Sequence, residues 1–333
     1  MDSKILLAHG SGGRLSHNLI KDFIQLFRNQ ILEKMDDSAV FDLNGRVAFT
    51  TDSYVVNPIF FPGGDIGKLA VCGTINDLSM CGATPLYISL ALIIEEGLPM
   101  SVLKQITSSI QTVAKDTGVK VVTGDTKVVN QGSADKLFIN TAGIGLISEG
   151  VDISGANAKP GDKIILSGAI GDHGIAVMAQ REGLRFKIPV ESDCAPLNTL
   201  VADMLKVSKK IHCLRDPTRG GLATTLNELT MQSKVGINIE EEKVPVHESV
   251  RAACEFLGFD PLYVANEGKL VAIVPARNAE KILKAMQQNL YGKESTVIGE
   301  VVAEHPGIVT MKTILGTSRI VDMLSGELLP RIC

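Results

Sequence analysis

The chain has 333 residues, enough for two domains with a core each. Lys and Arg number 33 against 37 Asp and Glu, so the net charge is −4, which excludes the basic footprint of a nucleic-acid binder. Hydrophobic residues at 45% and charged ones at 21% exclude chain-wide disorder; aromatics at 4% with no Trp call for aliphatic cores.

Residues 1–34 open on the Gly-rich run His9-Gly10-Ser11-Gly12-Gly13. An amphipathic helix follows, with Leu19, Ile20, Phe23, Leu26 and Phe27 on one face. A strand is predicted over 45–57, ending near Asp52, and a helix over 66–81 that stops at Gly82, with Pro85 beyond it. Tyr87 to Ile94 reads as a buried strand. Ser101 can cap the next helix; Leu103, Ile106, Ile110 and Val113 line its core face and Gly118 ends it. A strand over 120–123 runs into Gly124-Asp125-Thr126-Lys127, read as an extended loop, and 138–147 is another strand.

Residues 148–162 are polar and carry Gly and Pro, which places the domain boundary there. Beyond it the pattern predicts a strand over 163–167, a glycine turn over 168–171 and a helix. Further helices are expected over 197–210, 220–232, 247–257 and 277–290. Strands are expected over 236–240, 269–274, 296–303, 307–312 and 317–323. Many strands lack a crossover helix between them, so the class is α+β and not a doubly wound sheet. The tail, 324–333, has no periodicity and is expected to be mobile. The division is 1–34, a Gly-rich segment and helix; 35–150, an N-terminal domain; 160–323, a C-terminal domain; and 324–333, the tail. The longest apolar stretch, Leu86 to Ile94, falls short of the roughly 18 residues of a membrane span, and the N-terminus is too weakly apolar for a signal peptide. Cytoplasmic residence is the expectation.

Acidic residues stand at the edges of apolar segments in the first domain: Asp36, Asp37, Asp52, Asp77 and Asp125. A carboxylate near apolar sequence is costly to bury without a partner. Helix caps and turns are the ordinary use of Asp, but the full set beside two Gly-rich loops points to magnesium with a nucleotide. The run His9–Gly13 can present backbone N–H groups to phosphate, although it is no Walker loop. Arg215-Asp216-Pro217-Thr218-Arg219-Gly220-Gly221, directly before a helix, suits a phosphate better, through exposed N–H groups and an arginine. Lys127, two residues after Asp125, falls on the same side and can clamp a phosphate. Glu267, in Ala265-Asn266-Glu267-Gly268, is a candidate general base, with a turn carboxylate as the plainer reading.

Six cysteines stand at 72, 81, 194, 213, 254 and 333, with no C-x-x-C pair. Five read as small buried hydrophobes. Cys333 is the last residue, and a thiol there suits acceptance of an activated group.

The stretches HGSGGR (9–14), TTDSYVVNPIFFPGGDIGKLAVCGTINDLSMCGA (50–83), VVTGDTKVV (121–129), RDPTRGG (215–221), ANEGK (265–269) and PRIC (330–333) closely resemble the HypE family of nickel–iron hydrogenase maturation proteins. That family lies in the PurM-like superfamily of aminoimidazole ribonucleotide synthetase. The resemblance covers nearly the whole chain, and the PRIC ending is specific to the family. It implies a two-domain PurM-like α+β fold and a homodimer formed through strands of the N-terminal domains. It implies ATP and Mg2+ in the cleft between domains, held by the five aspartates, the Gly-rich N-terminus, Asn76, Arg219, Gly220 and Gly221. It implies that a HypF-type carbamoyltransferase loads Cys333 with a carbamoyl group, and that the chain dehydrates this S-carboxamide to a thiocyanate, with Glu267 and Lys127 catalytic. The cyanide then passes to iron on a HypC–HypD-type complex. A small-molecule kinase or ATP-dependent synthetase of the same superfamily, and a non-catalytic thiol carrier, are the competing readings.

Overall fold

The structure, a computed structural model, describes residues 4–11, 13–35, 38–184, 189–324, 326 and 331–333. The first half contains α1 (Arg14–Leu26), β1 (Arg46–Tyr54), a small ribbon of β2 (Phe60–Phe61) and β3 (Gly64–Asp65), α2 (Ile66–Met80), β4 (Ala83–Glu95), α3 (Met100–Thr117), β5 (Lys120–Val129) and β6 (Leu137–Ile147). Its sheet has the order β1-β6-β4-β5. β1 and β4 run antiparallel to β6. β4 and β5 are parallel, as a pair joined by the crossover α3 must be.

The register decides which side chains face inward. Asp52 pairs with Thr141, and Leu90 with both Thr141 and Gly124, on the side covered by α2. Ser53, Asn140, Ala91 and Asp125 form the adjacent row, which points the other way because strand side chains alternate. α2 begins at Asp65, whose carboxylate accepts the N–H groups of Gly67 and Lys68 at 2.8 and 2.9 Å. Nearly all of it is buried, Lys68 and Asp77 excepted, with the sheet on one side and the second half of the chain on the other. Gly67 lets α3 approach: a Cβ there would lie 2.6 Å from the Ile106 carbonyl oxygen.

The second half contains β7 (Lys163–Leu166), α4 (Asp172–Glu182), α5 (Asn198–Val207), β8 (Cys213–Arg215), α6 (Gly221–Ser233), β9 (Gly236–Glu240), α7 (Glu248–Leu257), β10 (Val271–Val274), α8 (Ala276–Gln288), β11 (Thr296–Val302), β12 (Val309–Lys312) and β13 (Ser318–Ile320). The sheet order is β13-β12-β9-β11-β7-β10-β8, antiparallel except for β12 beside β9. Ile164, Val271 and Ile273 pack with Leu222 and Leu226 of α6 on one face. Ile165, Ala272 and Val274 pack with Met204 of α5 and Met286 of α8 on the other. Burial on both faces explains why these central strands carry continuous apolar runs. The strand order follows no regular βαβ winding, so the α+β reading holds.

The structure departs from the expected elements in three places. β4 starts at Ala83 and runs through Pro85, which is tolerated because the ladder slips between Pro85 and Tyr87. The run Gly124–Lys127, expected as a loop, is part of β5, because β4 offers it a full ladder. β8 has only three residues and no periodic signal. Among the described residues no helix is long and apolar enough to cross a membrane.

Candidate active site

Between the halves, α2 and β1 from one side meet the turn before α6 and the loop before β10 from the other. Asn76 of α2 ties them together. Its amide donates to the carbonyls of Ala195 and Glu267 at 3.1 and 3.4 Å, and its oxygen accepts the Leu197 N–H at 2.8 Å. It is 1% exposed. The side chain is used up in these bonds, which corrects its expected role as a nucleotide contact: Asn76 holds the cleft together.

Four carboxyl groups face this junction. Asp52 accepts the Ser53 N–H at 2.7 Å. Asp77 accepts the Thr50 hydroxyl at 2.8 Å, yet burial and the Asp52 charge raise its carboxyl above the usual range. Asp216 is pushed up to about 7 by burial and by the charge of Asp77. Glu267 is 4% exposed and its Oε1 has no hydrogen-bond partner. Burial, then the neighbouring Cys194 thiol, Asp216, Asp193 and Asp52, raise it strongly. Such a set is costly to ionise together without a cation beside it. A hard divalent cation fits that need, since magnesium takes only one or two carboxylates and fills its sphere with phosphate and water. Among the described residues no three His, Cys, Asp or Glu side chains already stand together as a metal site.

The chain's last residues enter the same place. Expected to be mobile, residues 331–333 lie antiparallel along residues 55–57: the Val55 N–H donates to the Cys333 carbonyl at 3.1 Å and the Asn57 N–H to the Arg331 carbonyl at 3.3 Å. Ile332 is 2% exposed in the first-half core, which is the physical reason for docking. Arg331 donates to the Val55 carbonyl, pairs with Asp135 and lies over the Phe138 ring at 5.8 Å. Cys333 borders a cavity of about 320 Å3 with Arg219, Gly220 and Tyr263. Burial, then the charge of Glu267, pushes its thiol up to about 12, with Arg219 opposing. Gly220 and Gly221 have φ of 77° and 62°, and a Cβ on Gly221 would sit 2.5 Å from the Leu262 carbonyl oxygen, so only glycine makes this turn into α6.

The remaining candidates stand elsewhere. Asp125 does not join Asp52 and Asp77: it is exposed on the opposite side of the sheet, 2.7 Å from Lys127 Nζ, which holds its carboxyl below the usual range. The strand register is the cause. Gly10 packs against β5, where a Cβ would meet the Val128 nitrogen at 2.5 Å, and shares with Asp125 and Lys127 a cavity of about 390 Å3 under α1. His9 Nδ1 accepts the Leu6 N–H at 3.0 Å and Ser11 Oγ donates to the Ala8 carbonyl at 3.1 Å, so both side chains serve their own turn. Gly13 precedes α1 in open space. Gly12, Asp36 and Asp37 lie outside the described residues. Cys72, Cys194, Cys213 and Cys254 are buried as expected, but Cys81, at the end of α2, is exposed.

Sequence reasoning passed over Asp216, Asp193, His173 and Arg181. Asp216 was legible as one more acid beside a Gly-rich turn. Asp193, which accepts the Glu267 N–H at 3.1 Å, and the two α4 residues carry no local signal.

The chain matches two family models, the N-terminal domain of AIR synthase related proteins over residues 35–147 and their C-terminal domain over 159–312. It is 53% identical to the carbamoyl dehydratase HypE of Azotobacter vinelandii, over 100% of this chain and 98% of that one. A crystal structure of the hydrogenase maturation protein HypE in complex with ATP superposes with a TM-score of 0.96 at 52% identity, covering 98% of this chain and 99% of that chain. A HypE–HypF complex gives a TM-score of 0.82 at 53% identity, covering 94% of this chain and 100% of that chain.

Proposed function

The chain belongs to the HypE family of AIR synthase related proteins, and from that premise we propose that it is an ATP-dependent carbamoyl dehydratase whose substrate is its own C-terminus. A HypF-type transferase loads Cys333, this chain converts the S-carboxamide to a thiocyanate, and the cyanide goes to iron on a HypC–HypD-type complex. The observation that carries the reading is the docked Cys333 beside the buried, unpartnered Glu267.

A carboxamide oxygen is a poor leaving group. It forms a bond to the γ-phosphorus of ATP as the bond to ADP breaks, and later leaves as phosphate when the carbon–nitrogen triple bond forms. Arg219 and the N–H groups at the start of α6 are suited to hold the transferring phosphoryl. Asp52, Asp77 and Asp216 would hold magnesium, which would offset charge on the phosphates. The two amide protons must leave the nitrogen; Glu267 takes up the first, and the departing phosphate accepts the second. A carboxyl raised by burial is a stronger base when ionised. Lys127, expected to assist, is instead paired with Asp125 on the opposite face of the first sheet, so the assisting role passes to Arg219.

Burial and the Glu267 charge push the docked thiol up to about 12, which disfavours the attacking thiolate. Loading therefore uses an undocked tail, whereas the uncharged carboxamide and thiocyanate tolerate the buried site. The outer face of the first sheet supports a homodimer: Phe49 is 69% exposed there, with Val47 and Ile93 also exposed. Cytoplasmic residence goes with ATP use.

The test is intact mass after incubation with a HypF-type transferase, carbamoyl phosphate and ATP. A carbamoyl adduct that loses one water only with ATP, and only when Cys333 is present, is expected. An unmodified chain with an active transferase would overturn the reading in favour of a free small substrate.

A further inference from the structure

We propose that α4 is a register clamp for the C-terminal tail, in which His173 and Arg181 are positioning residues that grip the tail's main chain and so set where Cys333 Sγ stands. The proposal deepens the dehydratase reading and rests on it for its catalytic consequence.

His173, Val177 and Arg181 are four residues apart and share one face of α4. His173 Nε2 lies 2.8 Å from the Ile332 carbonyl oxygen. A carbonyl only accepts, so Nε2 carries the proton. Nδ1 is then the acceptor for the Ser192 hydroxyl at 2.8 Å, and Ser192 Oγ accepts the Cys194 N–H at 3.0 Å. A main-chain donor at one end and a main-chain acceptor at the other fix the direction of the whole chain. His173 is fully buried, and burial works against its protonation, which keeps this tautomer in place. Val177 belongs to the same apolar cluster as Ile332.

Arg181 completes the grip. Nη2 donates to the Arg331 carbonyl and Nε to the Asn57 carbonyl, both at 2.7 Å. One planar fork thus bridges the tail and the segment it runs along, a geometry that a lysine cannot reproduce. These contacts go to main-chain atoms and leave the Cys333 side chain ungripped. The clamp therefore accepts the tail whether the sulfur carries a proton, a carboxamide or a cyanide, and it places each at the same point beside Glu267. Alignment of this kind is where a small displacement changes a rate most.

The test uses the full chain and reads alkylation of Cys333 by iodoacetamide, followed by peptide mass, with the exposed Cys81 as internal control. The docked thiol is protonated, so alkylation reports the undocked fraction. Expected is a rise of roughly tenfold at Cys333 in H173L and R181K, the opening that follows loss of one hydrogen bond, with Cys81 unchanged. H173Q, whose amide nitrogen stands in for Nε2–H, stays near the wild-type rate. After loading by the transferase, the first two variants carry the carboxamide normally but lose water more slowly, without a matching change in the ATP concentration needed. Unchanged Cys333 alkylation in both H173L and R181K overturns the clamp. If the wild-type carboxamide loses no water with ATP, the dehydratase reading fails, and the alkylation rates still decide the clamp by themselves.

Discussion

Asn76 and Glu267 meet across the junction of the two halves: the Asn76 amide donates to the Glu267 carbonyl at 3.4 Å. The main chain that carries the candidate base is therefore anchored to α2, not left to its own loop. Asn76→Leu strands the Leu197 N–H and the Ala195 carbonyl, while the Glu267 carbonyl keeps the Ala195 N–H, and is expected to cost about 2–4 kcal/mol of stability. Thermal denaturation and ATP titration check this. A large loss of ATP affinity at unchanged Tm would return Asn76 to the nucleotide.

Glu267→Gln keeps the shape and removes the base. The expected outcome is a chain that binds ATP and accepts the carbamoyl group but dehydrates it about 10^2–10^4 times more slowly. In the wild type the rate climbs as pH rises toward the raised range of this carboxyl, because only the ionised form accepts the amide proton. A pH-independent rate would remove Glu267 from that step.

Asp216 makes a separate pH prediction. Its carboxyl is pushed up to about 7, against about 3.9 in an unfolded chain. Between those values the folded state holds a proton that the unfolded state has released, so stability falls as pH rises through that window and stays low above it. Asp216→Asn should flatten the slope and add roughly 1–3 kcal/mol at alkaline pH, less than the full shift because the group keeps some solvent contact. Added magnesium should raise the wild-type Tm more above neutrality than below it, and should do little for the variant. Equal magnesium effects on both proteins would take Asp216 out of the metal set.

Phe49 is 69% exposed on the outer face of the first sheet. Phe49→Asp is expected to convert a particle of twice the chain mass into a monomer in sedimentation, with the circular dichroism of the fold retained. A wild-type chain that sediments as a monomer would remove the homodimer.

Cys333→Ala should leave Tm within about 2 °C of the wild type and abolish thiocyanate formation, because the thiol is only partly buried at the edge of the core and lines a cavity. Ile332→Ala should lower Tm more, since Ile332 is the residue buried in the core. The reverse order would mean that the thiol itself anchors the tail.

Much was legible before folding, wherever the governing physics is local. The face Leu103, Ile106, Ile110 and Val113 repeats at helical spacing, and all four are buried in α3. The apolar run ending at Val274 became a strand buried on both faces. The pair Gly220-Gly221 announced a turn that only glycine can make. Motif resemblance carried the family and the importance of the last residue.

The tertiary structure alone decided which groups meet. Asp125 and Asp52 looked alike as acids beside strands, but ladder register turned one to each side of the sheet. Asn76 looked like a ligand contact until packing closed three main-chain groups around it. Residues 331–333 looked loose until Ile332 found a core belonging to residues far away in the chain. Spacing along a segment sets only what one element presents. Distances between Asp52, Asp216, Glu267 and Cys333 come from packing among segments far apart in the chain, which no local pattern encodes.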